Sequence, residues 1–210
     1  MGGPYRIVGR IGSGGMAEVF LGKAVGVAGF EKDVAVKSIL PAYTLDPTLT
    51  AMLIEEARLA THLNHTNVVQ VLDLGKMGDR YFIVMEYVDG ADLDSILKNA
   101  KETGRQLPPA LACRIVRQVL SGLKFVHERE DAAGRPLHLV HRDVSPPNIM
   151  LSVAGEVKLT DFGIAKARNS TLVTEAGMIR GKVSYMSPEQ ASGGDLDHRS
   201  DLFSLGIVLW

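Results

Sequence analysis

The chain has 210 residues, enough to bury a sizeable core as one domain or two small lobes. Lys and Arg number 23 against 24 for Asp and Glu in a sequence that is 46% hydrophobic, so no long-range field directs it to nucleic acid or to a membrane surface. A single cysteine, Cys113, excludes a disulfide framework, and its place in the apolar stretch LACRIVRQVLSGLKFV predicts a buried helix thiol rather than a reactive one.

At the N-terminus, MGGPYR has neither the apolar core of a secretory signal nor the hydroxyl that a myristoylation signal wants at its sixth position. A reducing, cytoplasmic setting is expected. The first third alternates β-type runs with glycine-rich turns: YRIVGRI, EVFLGKAV, KDVAVKSIL, VVQVLDLG and RYFIVMEYV. This pattern predicts an antiparallel meander. It is interrupted once, where Asp46 and Pro47 suit the N-cap and first position of a helix running through LTAMLIEEARLATHL. Helical patterns then dominate in DLDSILKNA, from Pro108 to about Glu128, and from Arg199 onward, with the crossing from sheet to helix near EYVDG. The expected fold class is α+β, a sheet lobe followed by a helical one. The ending LFSLGIVLW is too short to span a bilayer and stops in mid-pattern, so the helical lobe is expected to be incomplete, with an exposed apolar helix face that favours aggregation.

Gly12, Gly14 and Ala17 in IGSGGMAEVF occupy a GxGxx(G/A) spacing. A dinucleotide-binding turn permits alanine third and wants an acid about 20 residues on, where Asp33 sits. It also needs a helix directly after the glycines, and VFLGKAVGVAG is a poor one. Strand, glycine loop, strand fits better and places backbone N–H groups over a polyphosphate, although an ordinary glycine hairpin has the same pattern. VAVK is a strand ending in Lys37. In the following helix Leu49, Leu53, Ala60 and Leu63 keep the rhythm of one buried stripe; Glu56 falls at the missing position and Glu55 about 100° away. A carboxylate on a core-facing stripe is costly unless paired, so Glu56 is expected to reach Lys37. HRDVSPPN and KLTDFGIAK place Asp143, Asn148 and Asp161 on two short connections between β-type runs. Singly each is an ordinary turn residue. Together, downstream of a glycine loop and a Lys-Glu pair, they point to magnesium with a nucleotide, which sparse sets of hard oxygen donors bind.

In that order GSGGMAEV, VAVK with Glu56, HRDVSPPN, DFG and SPE resemble the signature set of the protein kinase family, from about Tyr5 to Trp210. The sequence is most similar to bacterial Ser/Thr kinases of the eukaryotic type; MSPEQ and GRPLHLVHRDVSPPN resemble myxobacterial members. The resemblance implies a bilobal fold: a five-stranded antiparallel sheet with one helix over residues 5–87, a hinge over 88–91, and a mostly helical lobe over 92–210. It implies transfer of the γ-phosphoryl of ATP, with Mg²⁺, to Ser/Thr hydroxyls of proteins, where catalysis is mostly positioning plus charge neutralisation. No nucleic-acid partner is expected and no membrane segment in this chain.

By the same resemblance Ile11 and the backbone of Gly12, Ser13, Gly14, Gly15, Met16, Ala17, Glu18 and Val19 bind the nucleotide and its phosphates. Lys37, held by Glu56, contacts the α- and β-phosphates; Asn148 and Asp161 bind Mg²⁺; Asp143 orients the substrate hydroxyl and accepts its proton. Met85 is the gatekeeper, main chain of Glu86 and Val88 meets adenine, Val19 and Ala35 sandwich the ring, Met150 is a further nucleotide contact, and Asp92 meets the ribose. Arg142 resembles the residue that pairs with a phosphate on the activation segment, for which Ser170, Thr171 and Thr174 are candidates, Thr174 first, with autophosphorylation as one source. Asp201 resembles the residue that braces the HRD loop, and Glu189 one that pairs with a later arginine.

Three features depart from the family pattern. Ser145 stands where the Ser/Thr branch usually has lysine and Lys182 where it usually has threonine, so the cation and the hydroxyl are expected to have exchanged sides beside Asp143. Ala17 replaces the third glycine, and EREDAAGRP lengthens the connection before His138. Competing readings are a nucleotide-binding pseudokinase and a small-molecule phosphotransferase of related fold, the latter disfavoured by the SPEQ-terminated segment.

Overall fold

A computed structural model describes residues 4–14, 17–40, 47–78, 80–131, 133–162 and 183–210, without the side chains of 47–49, 52, 53, 56 and 183. The two runs that flank the glycines pair with each other: β1 (Tyr5–Ser13) and β2 (Ala17–Val25) are antiparallel with Ser13 opposite Glu18. A hairpin therefore carries Gly12 and Gly14, and the dinucleotide alternative falls with the helix it requires.

The chain continues through β3 (Glu31–Ile39), α1 (Pro47–Ala60), β4 (Val71–Met77) and β5 (Arg80–Glu86). All pairings are antiparallel, and the strand order is β1-β2-β3-β5-β4. The five-stranded sheet with one helix is as expected, but the simple meander is not. After α1 the chain skips one position and enters at the edge as β4, leaving β5 to pair with β3. Helix α1 starts at Pro47, where a missing N–H costs nothing; Asp46 lies outside the described residues. It ends at Ala60 rather than Leu63.

β3 shows why a central strand loses its alternation. Val34 and Val36 pack with Val84 on one face, whereas Ala35 packs on the other with Ala57, Val69, Ile83 and Met85. The sheet curls enough for Tyr5 of β1 to donate its hydroxyl to Asp73 Oδ2 of β4 at 3.0 Å, although these are the two outer strands. Burial and this bond push the Tyr5 phenol above its ordinary range.

The remaining elements are β6 (Gly90–Asp92), α2 (Leu93–Glu102), α3 (Pro109–His127), β7 (Ile149–Ser152), β8 (Val157–Leu159), α4 (Pro188–Ser192) and α5 (His198–Leu209). β6, β7 and β8 form a small antiparallel sheet. Its core joins Leu93, Ile115, Val119, Leu123, Val144, Ile149, Leu159 and Leu205. Helix α3 buries Ile115, Val119, Gly122, Leu123 and Val126, one stripe at helical spacing. Cys113 corrects the expectation of a buried thiol: it lies two residues from Ile115, about 200° round the helix, and is exposed. No helix among the described residues is long and apolar enough to cross a membrane.

Two compact units result, Met1–Asn64 with Val69–Val88, and His65–Val68 with Asp89–Trp210. The short insert His65–Val68 belongs to the second because Asn67 is built into it. Asn67 Nδ2 donates to Val157 O at 2.8 Å and to Gln118 Oε1 at 3.2 Å, Leu159 N donates to Asn67 O at 2.9 Å, and Val68 bridges Leu159 in parallel. This is also why the predicted strand from Val68 begins only at Val71.

Gly122 allows the approach, since a Cβ there would stand 2.7 Å from Asn67 O, a backbone atom that cannot swing aside. Gly122→Ala is expected to cost about 1–3 kcal/mol by overpacking in urea denaturation. Gly206→Ala on α5, where a Cβ meets nothing within 4 Å, is expected to be neutral or to stabilise by up to about 1 kcal/mol.

Candidate active site

In the first unit the hairpin turn is closed by Gly14 N donating to Ala17 O at 2.9 Å. A Cβ at Gly12 would lie 3.7 Å from Val19 and one at Gly14 3.7 Å from Ala17 O, ordinary contacts, and neither glycine has a positive φ. The hairpin itself thus does not demand these glycines. Ala17 opens β2 with φ in the range open to alanine, and it is buried. Ile11 is half exposed, and Glu18 carries an ion pair with Arg10 at 2.9 Å. Gly15 and Met16 lie outside the described residues.

On β3 Lys37 stands opposite Val19 of β2 and Ile83 of β5. The Glu56 side chain lies outside the described residues, so the expected Lys37-Glu56 pair is a sequence reading. Val19, Ala35, Met85 and Val88 join one apolar cluster, with Met85 buried and opposite Ala35. At the end of β5 Glu86 is tied twice to Gln70: its N donates to Gln70 O at 2.9 Å and its Oε1 accepts from Gln70 N at 2.8 Å.

In the second unit Asp92 is the N-cap of α2. Its Oδ1 accepts from Ser95 N at 2.9 Å and its Oδ2 from Ser95 Oγ at 2.6 Å, so both oxygens of the residue assigned to a ribose serve the helix start. Met150 on β7 lies opposite Asp92 and Lys158.

The two prolines of HRDVSPPN start a 3-10 turn, Pro146–Asn148, closed by Asn148 N donating to Ser145 O at 2.9 Å. The turn folds Asn148 back on Asp143: Nδ2 donates to Asp143 O at 2.8 Å and to Asp143 Oδ2 at 2.7 Å. With Nδ2 so engaged, the other end of the amide, Oδ1, is the atom left to meet a cation. Ser145 is buried, its Oγ 3.4 Å from Asp143 O.

His141 ties this loop to the one that bears Asp161. Asp143 N donates to His141 Nδ1 at 3.3 Å, while His141 Nε2 donates to Thr160 O at 3.1 Å, and the Phe162 ring lies against the imidazole at 4.6 Å. A second tie runs from Thr160 N to Asn148 O at 2.9 Å. Asp161 follows with φ 59, a left-handed conformation that non-glycine residues hold at a cost.

Burial pushes the His141 imidazole below its ordinary value of 6.5, against the opposing pull of Asp201, Asp143 and Asp161. The folded state thus binds this proton less readily than the unfolded chain. The stability that neutral His141 contributes is present above the unfolded value and is lost as pH falls from there toward the folded one. Melting temperature is expected to drop between pH 7 and 5, and His141→Gln to flatten that slope.

Asp201 on α5 is the hub beneath the loop. Its Oδ2 accepts from His141 N and from His127 Nε2, each at 2.7 Å, and its Oδ1 accepts from Arg142 N at 2.8 Å. Arg142 has φ 67, and its buried Nε has no hydrogen-bond partner among the described residues. Glu189 accepts from Ser200 Oγ at 2.5 Å, a bond that lowers its carboxyl below the ordinary range.

Two participants escape sequence reasoning. His127 lies 74 positions from Asp201 with no motif to mark it. Gln190 donates from Nε2 to Arg142 O at 2.9 Å, and the S-x-x-Q spacing of a capping box was its available signal. Among the expected residues, Asp143 and Asn148 bond to each other, and Thr160, the residue before Asp161, is tied to Asn148 and His141. Lys182, Ser170, Thr171 and Thr174 lie outside the described residues.

Comparison with known proteins agrees with this geometry. The protein kinase domain family matches residues 5–210. The chain is 44% identical over 208 residues to the tyrosine-protein kinase MasK of Myxococcus xanthus, covering 99% of this chain and 32% of MasK. It is 38% identical to the serine/threonine-protein kinase PrkC of Bacillus subtilis, covering 99% of this chain and 30% of PrkC, and 41% identical to the serine/threonine-protein kinase pkn3 of Myxococcus xanthus, covering 98% and 37%. It therefore spans about a third of the length of these curated relatives. The crystal structure of the Mycobacterium tuberculosis PknI kinase domain superposes with a TM-score of 0.74 at 29% identity, covering 98% of this chain and 72% of that one. The chain belongs to the protein kinase family.

Proposed function

We propose that the chain is the catalytic part of a protein kinase that transfers the γ-phosphoryl of ATP to Ser/Thr hydroxyls of proteins. The observation that carries this reading is the Asp143-Asn148 pair, in which one amide nitrogen holds both the backbone and the carboxylate of the aspartate. Held through Oδ2, the carboxylate keeps a fixed orientation from which it accepts the proton of an incoming hydroxyl. That hydroxyl gives its proton to Asp143 as its oxygen bonds to the γ-phosphorus and the bond to the β-phosphate oxygen breaks, leaving ADP. An ordinary aspartate serves, because in a loose transition state the proton leaves late.

Asn148 Oδ1 and the Asp161 carboxylate are hard oxygen donors suited to Mg²⁺, which when bound neutralises charge on the phosphates. The first unit supplies the backbone of residues 12–19 and the Lys37 ammonium for the phosphates, with Ile11, Val19, Ala35 and Met85 as apolar contacts for the base. That Gly12 and Gly14 are not required by their own hairpin supports a role in close approach of a ligand to backbone. The division into residues 5–87, a hinge over 88–91 and 92–210 is part of the same reading.

Arg142 supports regulation by phosphorylation of Thr174, Thr171 or Ser170, since a phosphate would meet a guanidinium whose Nε has no hydrogen-bond partner among the described residues. Replacing all three hydroxyls with Ala is expected to lower activity about tenfold or more, as losing one such ordered loop does; unchanged activity would remove the idea.

Tyrosine specificity is the second reading, favoured by the name of the 44% identical relative and by Ser145 where the Ser/Thr branch carries lysine. Radiolabelled ATP with the purified protein, against Asp143→Asn and Lys37→Met, followed by phosphoamino-acid analysis, decides between them. Transfer lost in both variants supports the kinase; nucleotide-dependent melting without transfer in the wild type makes it a binding scaffold. In the same assay Lys182→Thr is expected to be impaired and Lys182→Thr with Ser145→Lys to recover.

A further inference from the structure

We infer that Gln190, in the segment after the activation loop, is a positioning residue for phosphoryl transfer, fixing the Arg142-Asp143 peptide through its side-chain amide. The inference rests on the kinase reading above. Arg142 holds a left-handed φ of 67, which a side chain with a Cβ keeps only where its surroundings over-determine it. Both of its backbone polar atoms are taken by side chains from distant segments: its N donates to Asp201 Oδ1 at 2.8 Å and its O accepts from Gln190 Nε2 at 2.9 Å.

That carbonyl and the N–H of Asp143 are the two ends of one planar peptide. The N–H end donates to His141 Nδ1, so Gln190 and His141 together set the plane from which the Asp143 side chain departs. Without Gln190 the carbonyl end has no such anchor, and the peptide is free to rock about the His141 bond.

The residue type is informative. Gln190 also caps α4, its Oε1 accepting from Ser187 N at 3.0 Å while its own N donates to Ser187 Oγ at 3.3 Å. Glutamate would complete that capping box equally well. Only glutamine adds a donor, and the donor is spent on Arg142. Capping alone therefore does not account for the amide.

Three variants separate positioning from structure. Gln190→Glu keeps the cap and removes the donor; Ser187→Ala weakens the cap and keeps the donor; Gln190→Met removes the donor and the Oε1 half of the cap. Gln190→Glu and Gln190→Met are expected to lower kcat about 10- to 100-fold, as small misplacements of a catalytic group do, with KM for ATP unchanged, whereas Ser187→Ala keeps wild-type kcat. In Gln190→Glu the NMR resonances of the Arg142 carbonyl carbon and the Asp143 amide nitrogen are expected to shift. Wild-type kcat in Gln190→Glu overturns the inference and leaves the kinase reading intact. A wild type that transfers no phosphate overturns the kinase reading instead, and unmoved resonances then overturn the tether as well.

Discussion

Asp143→Asn is expected to lower phosphoryl transfer by about 10²- to 10⁴-fold, the usual contribution of a positioned general base, while the protein melts as the wild type does. An asparagine at 143 still offers one side-chain oxygen to Asn148 Nδ2, which reaches Asp143 at 2.7 Å, and its backbone carbonyl keeps the second bond at 2.8 Å. The fold of the loop is thus preserved. What is lost is the charge and the ability to take a proton, because the other end of the new amide is a donor. Initial rates with radiolabelled ATP, beside a thermal melt, check both halves; a variant as active as the wild type takes Asp143 out of the role.

Asp201→Ala is expected to destabilise the protein by about 3–5 kcal/mol, the range for stripping one member from a buried charged network. Three donors converge on this carboxylate: the main-chain N–H groups of His141 and Arg142 and the ring of His127. Asp201 is only 1% exposed, so water does not replace it. Each orphaned buried donor costs about 1–3 kcal/mol, and the loss of anchorage for the left-handed Arg142 adds to it. Asp201→Asn keeps one acceptor oxygen of the two and is expected to fall between the wild type and the alanine variant in urea denaturation. If Asp201→Ala unfolds at the wild-type urea concentration, the hub is not what holds the loop.

Much of this was legible because periodicity and turn chemistry are local. The flanks of the glycine run read as strands and pair as a hairpin, Pro47 opens its helix, and an Asp and an Asn five positions apart do bond. Strand order was not legible, since alternation marks a strand without naming its neighbour; only the folded sheet shows β3 beside β5. Cys113 failed for another reason. Its apolar character suggested burial, whereas its phase against Ile115, Val119 and Val126 places it on the outer face. His127 as a partner of Asp201 and Gln190 as a partner of Arg142 were invisible because hydrogen bonds spanning 74 and 48 positions leave no periodic trace. Ser145 was visible as an oddity, and its burial beside the Asp143 carbonyl shows that a lysine there would need an exit for its ammonium.

The docking of Asn67 has a practical consequence for dissecting the molecule. The two units are not contiguous in sequence: four residues between Asn64 and Val69 are lent to the helical one. A cut after Val88 would leave Val157 O without its amide donor and Leu159 N without its carbonyl acceptor, so the C-terminal piece should lack part of its own interior. Recombining separately expressed halves should succeed only when the peptide His65–Val68 travels with the second, for example joined by a short linker to Asp89.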